Sequence, residues 1–119
     1  MAKTYNASQL IITHPEVAQA DLEANRFVGY DGNYCGAGAQ ATGVTPEPYE
    51  TAENIAVIIG GTALLELGDT VSAVETPLKS DSTGRGVPTS QASIATYPIL
   101  AFALDIGVVG DIIKVRLSL

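Results

Sequence analysis

Glycine and proline interrupt this chain every few residues, and that spacing constrains the fold more than any other feature. The 119 residues include 12 glycines and 6 prolines, while 46% of all residues are apolar. Long helices do not tolerate such frequent interruption, whereas short strands joined by tight turns do. The apolar share supports one hydrophobic core and argues against disorder. The sequence therefore predicts an all-β fold with a single small domain.

Several apolar segments between the glycines are typical of strands. In residues 112–117, Ile113, Val115 and Leu117 alternate with Ile112, Lys114 and Arg116, which predicts a strand with one buried face. Residues 54–59 are apolar at both alternating sets of positions, which predicts a strand buried on both faces. Further strands are predicted at residues 26–30, 33–35, 41–44, 62–67, 70–74 and 96–104.

Three local patterns predict the connections. Asp31-Gly32 favours a type I′ turn in a hairpin. Gly60-Gly61 is expected to turn the chain between two strands, and Asp69 and Asp111 are expected to bond local backbone after a glycine. Residues 16–25 have good helix propensity but poor apolar spacing, so they form either one or two helical turns or a loop.

These segments add up to about eight to ten short strands, which predicts a small single-domain β-barrel or β-sandwich over residues 16–119. Residues 1–15 precede it as an extended N-terminal arm. The arm is mostly polar but contains the apolar trio Leu10, Ile11 and Ile12. An exposed apolar trio needs cover, so it either contacts a partner or forms the first core strand of the same subunit.

The net charge of −7 excludes some partners. Residues 21–81 contain ten acidic residues and only two basic ones, whereas the remaining residues are close to neutral. We expect the acidic segment to face solvent and the ends to be freer to meet a partner. Because the six basic residues are scattered, nucleic acid is not an expected partner.

The sequence offers little for catalysis or cofactor binding. His14 is the single histidine, and its place in the arm before Pro15 predicts a surface residue. Cys35 is the single cysteine and is expected to be structural. No phosphate-binding glycine loop, nucleophile elbow or calcium loop is present. We therefore expect no enzyme, no metal and no cofactor.

The chain also lacks an apolar signal segment and any apolar stretch of the roughly 18–20 residues that span a bilayer. We expect a soluble protein, made in a reducing compartment, with no membrane partner.

Two further features suggest binding. Arg85 stands between Gly84 and Gly86, where it is either a turn residue or a contact to an acidic partner. Tyr30, Tyr34 and Tyr49 could build a stacking platform, so a carbohydrate-binding β-module of a phage tail or surface adhesin is an alternative function.

The order of several short motifs resembles the small capsid decoration, or cement, proteins of tailed bacteriophages, many of which are classed as a domain of unknown function. The likeness covers about residue 26 to the C-terminus. It rests on the segments Phe27-Val28-Gly29-Tyr30-Asp31-Gly32, Gly43-Val44, Ala52-Glu53-Asn54-Ile55-Ala56-Val57, Gly61, Leu67-Gly68-Asp69-Thr70-Val71, Ser80-Asp81-Ser82-Thr83-Gly84-Arg85-Gly86-Val87, Ile99-Leu100-Ala101-Phe102-Ala103-Leu104 and Gly110-Asp111-Ile112-Ile113-Lys114-Val115.

This resemblance implies an accessory protein, made in the cytoplasm of the bacterial host, that binds the outer capsid surface of the virion and stabilises the assembled head. The partners would be the major capsid protein and further copies of the chain, as a homotrimer or, as second choice, a dimer. The candidate capsid or subunit contacts are Tyr5, Leu10, Ile11, Ile12, His14 and Arg85.

Overall fold

The computed structural model describes residues 9–90 and 97–119, and within them the chain forms eight strands and no helix. The strands are β1 (Gln9–Val17), β2 (Phe27–Val28), β3 (Gly43–Val44), β4 (Asn54–Glu66), β5 (Pro77–Ser80), β6 (Gly86–Pro88), β7 (Ala101–Ala103) and β8 (Ile112–Leu117). Every ladder between them is antiparallel. The all-β prediction is confirmed.

The strands form a nearly closed barrel in the order β2-β3-β4-β8-β7-β5-β6, and β1 pairs with β4 beside this path. The two ends of the sheet meet at the loop between β5 and β6, where the Phe27 N–H donates to the Gly84 carbonyl at 2.7 Å. A parallel bridge between Leu67 and Gly86 strengthens this closure. The closing contacts leave few unpaired edges, which suits a small sheet in water.

β4 is the longest strand and belongs to both halves of the molecule. Its first half pairs with β1 and β3, and its second half pairs with β8. The expected turn at Gly60-Gly61 is wrong, because the strand continues through both glycines with a bulge opposite Leu10 and Ile11. Gly61 has a φ of 80°, which lets the strand bend without breaking.

The bulge has a visible effect on the core. Ile58 lies at an even position of β4 and packs in the main core, whereas Ala63 and Leu65 pack there from odd positions. One extra residue in the strand reverses the alternation, so both halves of β4 bury side chains in the same cluster. Ile55 and Val57 face a second, smaller cluster with Ala18, Leu22 and Val28. The first half of β4 is therefore covered on both faces, as predicted.

The prediction for β8 is also confirmed, since Ile113, Val115 and Leu117 are buried and the alternating residues are exposed. Of the two alternatives for residues 16–25, residues 18–25 form the loop, and Leu22 bridges to Tyr49 within it, whereas residues 16 and 17 complete β1. Two other strand predictions are too long. The predicted strand at 70–74 is reduced to one bridge between Val71 and Gly107, and that at 96–104 to β7, with residue 96 outside the described residues.

The hairpin after β2 exists but its turn differs from the predicted type I′. Gly32 has a positive φ of 82°, whereas Asp31 does not. The Gly29 carbonyl accepts the Gly32 N–H at 3.3 Å, and the Gly29 N–H donates to the Asn33 carbonyl at 2.9 Å. The result is a three-residue loop with glycine in the left-handed position.

Candidate interaction surfaces

The apolar trio of the arm lies on β1, outside the core. The exposed fractions are 59% for Leu10, 48% for Ile11 and 39% for Ile12. Neighbouring residues of a strand point to opposite faces, so both faces of β1 are apolar and open. The trio thus belongs to a strand of its own subunit's sheet, yet its side chains are free to contact a partner.

His14 is buried, which corrects the expectation that it is a surface residue. The ring is 4% exposed; Nε2 lies 2.9 Å from the Gly29 carbonyl oxygen, and Nδ1 accepts the Glu16 N–H at 2.9 Å. The tautomer with hydrogen on Nε2 satisfies both bonds. The hydrogen bond from His14 to the Gly29 carbonyl therefore attaches β1 to the hairpin at residues 29–33.

The same end of β1 is held by a second set of contacts. The Gln19 N–H donates to the Gly32 carbonyl at 3.0 Å. A Cβ at Gly32 would collide with the Val17 carbonyl oxygen, so only glycine lets the hairpin pack this closely. β1 is consequently anchored near its C-terminal end. Leu10 and Ile11 lie near its N-terminal end, where their side chains are exposed.

Arg85 is engaged within its own chain. Its Nε lies 3.2 Å from Asp81 Oδ2, and a guanidinium nitrogen lies 3.9 Å from the Glu66 carboxylate. Glu66 also pairs with Arg26 at 3.3 Å, and Arg26 is 7% exposed. These four side chains form an ion-pair cluster beside the closure of the barrel. Arg85 therefore has an intramolecular role whatever it contacts elsewhere.

Asp81 organises the loop that carries Arg85. Its carboxylate accepts the backbone N–H groups of Thr83 and Arg85, each at 2.9 Å. Burial alone would raise the pKa of Asp81, but these hydrogen bonds and the Arg85 charge outweigh it and lower the pKa from its usual value. Asp69 and Asp111 also bond local backbone, as predicted from their positions after glycine.

A second exposed apolar surface, the 106–112 patch, was not predicted from the sequence. It comprises Ile106, Val108, Val109 and Ile112, which are each between 51% and 57% exposed. Val109 lies in a tight turn, in which the Asp111 N–H donates to the Val108 carbonyl at 3.0 Å and Gly110 has a φ of 90°. Two consecutive valines in a glycine-bounded turn, where polar residues are usual, were the signal that could have indicated it.

An acidic groove lies near the start of β4. It has a volume of about 640 Å³ and is lined by Asp21, Leu22, Glu23, Pro48, Tyr49, Glu50 and Glu53. Asp21 accepts two hydrogen bonds from Thr51, at 2.9 and 3.0 Å, and they lower its pKa. Leu22 and Tyr49 bridge each other through their backbones. The groove thus combines an apolar wall with four carboxylates.

The three tyrosines of the alternative function do not share one kind of environment. Tyr30 is 64% exposed, whereas Tyr34 and Tyr49 are partly buried against the smaller core cluster. The Tyr34 hydroxyl accepts the Glu23 N–H at 2.9 Å, and the Tyr49 hydroxyl bonds the backbone of Ala56. Two of the three hydroxyls are therefore occupied by the protein's own backbone.

Tyr5 lies outside the described residues. Among the described residues, no group of three or more His, Cys, Asp or Glu side chains could hold a metal ion. Within the same ranges, no helix has the length and apolar character needed to cross a membrane.

No protein-family model matches the chain, and neither does any curated protein. Among solved structures, the chain is similar to the N base of head fiber gp8.5 of bacteriophage phi29, with a TM-score of 0.69. The sequence identity is 15%, and the superposition covers 92% of this chain and 94% of that chain. At this identity the likeness establishes a shared fold along nearly the whole of both chains.

Proposed function

We propose that this chain is a structural protein of a bacteriophage head that binds the outer surface of the assembled capsid and stabilises it. The observation that carries the proposal is the end-to-end structural likeness to the base of a phage head fiber. The order of motifs from about residue 26 to the C-terminus, which resembles that of capsid decoration proteins, supports the same proposal independently.

The surface of the molecule fits a protein that works by contact. β1 presents Leu10, Ile11 and Ile12 to solvent, while His14 keeps the strand attached to the barrel. An apolar strand with an open side can pack on a partner or extend a partner's sheet. We assign β1 and Tyr5 as the contact to the major capsid protein or to a neighbouring subunit, with Arg85 as a lesser candidate.

The proposed mechanism is mass action on an assembled lattice. A subunit that binds the assembled head better than its separated parts lowers the free energy of the assembled state. Several weak contacts act together when the subunits form a closed ring, so we propose a homotrimer, with a dimer as second choice. The proposal includes no catalysis, no cofactor, no nucleic acid and no membrane.

Cosedimentation with expanded, empty heads of the phage that encodes the chain tests this function. We expect the wild-type protein to sediment with the heads and to raise the temperature at which filled heads release DNA. The double variant Leu10→Gln/Ile12→Gln should bind at least about tenfold more weakly, since it removes apolar contact area. Val74→Gln is the matched control, because Val74 is 58% exposed and lies outside β1.

Absence of wild-type binding to heads would contradict the proposed function, and so would heads whose heat resistance is the same with and without the protein. Equal binding by the β1 variant and the wild type would show that β1 is not the contact, but it would not contradict the proposed function. The carbohydrate-binding alternative predicts instead a glycan-array signal that is lost in Tyr30→Ala, the variant of the most exposed tyrosine.

A further inference from the structure

The outer edge of β1 is an open edge of the sheet. β1 pairs with β4 along one side, and no described strand lies along its other side. The ends of the barrel, in contrast, are joined by the Phe27–Gly84 hydrogen bond and the Leu67–Gly86 bridge. Edge strands are usually protected from other strands by lysine, proline or other charges. Residues 9–13 contain no charged residue and no proline, and all of them are exposed.

The hydrogen bonds of Ala56 show which backbone groups lie on this open edge. Ala56 is opposite Thr13, but its N–H donates to the Tyr49 hydroxyl at 3.2 Å and its carbonyl accepts from that hydroxyl at 3.3 Å. Both groups of Ala56 therefore point away from β1, so Ala56 and Thr13 form a non-hydrogen-bonded pair. Because the two kinds of pair alternate, Ile11 and Ile58 form the next such pair. The N–H and C=O groups of Ile11 and Thr13 thus point outward, where no described residue bonds them.

These outward groups are symmetric about Ile12, and that symmetry matches a second copy of the same strand. When two β1 strands lie antiparallel with their Ile12 residues opposite each other, Ile11 of each copy faces Thr13 of the other. Each of these two pairs exchanges two hydrogen bonds, so all the outward groups of Ile11 and Thr13 are used. The two Ile12 side chains, each 39% exposed, then meet in a closely spaced apolar pair.

The distribution of charge also favours this edge for contact between two copies. The chain has a net charge of −7, and residues 21–81 contain ten of its acidic residues, so most pairs of surfaces would bring like charges together. Residues 9–13 contribute no charge to such a contact. Glu16, the first acidic residue, follows Pro15, which has no N–H and therefore ends the outward ladder.

We propose that two copies of this chain pair edge to edge through β1, antiparallel and centred on Ile12. This inference rests on the self-association included in the proposed function and names its contact. A contact between two identical edges closes at two copies, so it gives the dimer that is the second choice above, and a trimer would need a different surface. The paired segment is short, so the dimer should be weak and should depend on protein concentration.

A disulfide across the symmetry axis tests both the contact and its register. The full chain carrying Ile12→Cys is oxidised with diamide and separated on a non-reducing gel. We expect covalent dimers, because the two Cα atoms at this position would be about 4.5 Å apart. Leu10→Cys is the matched control, since Leu10 is more exposed but would lie about 13 Å along the strand from its copy, too far for a disulfide. The native Cys35 is 0% exposed and should not react.

Removal of an outward N–H gives a second, reversible measurement. In sedimentation velocity, Thr13→Pro should weaken dimerisation at least about tenfold, because each dimer loses two of its four backbone hydrogen bonds. Thr13→Ala is the control, since it keeps the N–H and should dimerise like the wild type. The Thr13 N–H does not pair with β4, so Thr13→Pro should retain the β fold by circular dichroism.

A wild-type chain that stays monomeric or forms trimers would overturn the β1 dimer, and so would cross-linking of Leu10→Cys as readily as Ile12→Cys. Head binding is measured on the same samples. If the wild type binds heads but Ile12→Cys gives no covalent dimer, the inference fails and the proposed function survives. If the wild type dimerises through β1 but does not bind heads, the function fails and the inference survives.

Discussion

At the scale of single residues, Asp81 shows how one side chain can hold a loop in place. It accepts two backbone N–H groups and pairs with Arg85, and the loop it organises closes the barrel. The hydrogen bonds and the ion pair are made by the ionised form, which is why the pKa of Asp81 is lowered despite partial burial. The stability of the fold should therefore depend on the ionisation of this carboxyl group.

Asp81→Asn should lower the free energy of unfolding by about 1–2 kcal/mol at pH 7, since charged hydrogen bonds are lost. A lowered pKa in the folded state gives stability that is present above the unfolded value of about 3.9 and is lost as the pH falls through the folded value. The difference between wild type and variant should therefore shrink below about pH 4. Urea unfolding between pH 7 and pH 2 measures it.

The control for this prediction is Asp69→Asn, because Asp69 makes one local hydrogen bond, to the Thr70 N–H, and no ion pair among the described residues. Its effect at pH 7 should be smaller. A cost for Asp81→Asn that stays constant from pH 7 to pH 2 would contradict the assignment of the loop to an ionised Asp81.

At the scale of elements, β4 joins the parts of the molecule because it bends without ending. Gly61 takes a φ of 80°, a conformation in which a side chain collides with its own backbone, whereas Gly60 does not have a positive φ. A Cβ at Gly60 would make an ordinary contact with Leu10 at 3.6 Å. The two adjacent glycines are therefore predicted to differ in their tolerance of substitution.

Gly61→Ala should lower the free energy of unfolding by about 1–2 kcal/mol because of backbone strain. Gly60→Ala, the matched control, should be neutral or slightly stabilising, since the unfolded chain loses freedom. Urea unfolding of both variants gives the comparison. Equal costs at the two positions would show that the bend does not depend on the conformation of Gly61.

The sequence predicted correctly those strands in which apolar and polar residues alternate regularly. β8 is the clearest case, because Ile113, Val115 and Leu117 alternate with exposed residues and nothing distant overrides that pattern. The continuation of β4 through Gly60-Gly61 could not be predicted, since the pair favours a turn locally and only pairing with β1 and β8 shows a strand.

Some features of the candidate interaction surfaces could likewise be predicted from the sequence, and others could not. The exposed trio Leu10, Ile11 and Ile12 was visible as an apolar run in a polar arm. The burial of His14 was not, because its partner Gly29 is 15 residues away and meets it only in the folded chain. The groove could not be predicted for the same reason, since two separate segments, residues 21–23 and 48–53, form its walls.

At the scale of the whole molecule, closure of the sheet makes one compact body. The radius of gyration is 13.6 Å, close to the roughly 13.5 Å expected for a compact chain of this length. Closure depends on Gly84, whose carbonyl accepts the Phe27 N–H and whose φ is 78°. A Cβ at Gly84 would collide with the Phe27 carbonyl oxygen. The ends of the sheet can meet only because this residue has no side chain.

Gly84→Ala should therefore lower the free energy of unfolding more than Gly110→Ala does. Gly110 has a φ of 90° but no atom within 4 Å of its Cβ position, so Gly110→Ala carries backbone strain alone, about 1 kcal/mol. Gly84→Ala adds a backbone collision and should cost at least about 2 kcal/mol more. Urea unfolding measures both, and hydrogen exchange at the Phe27 amide should rise in Gly84→Ala alone. Similar costs for the two variants would mean that the barrel's stability does not depend on this closing contact.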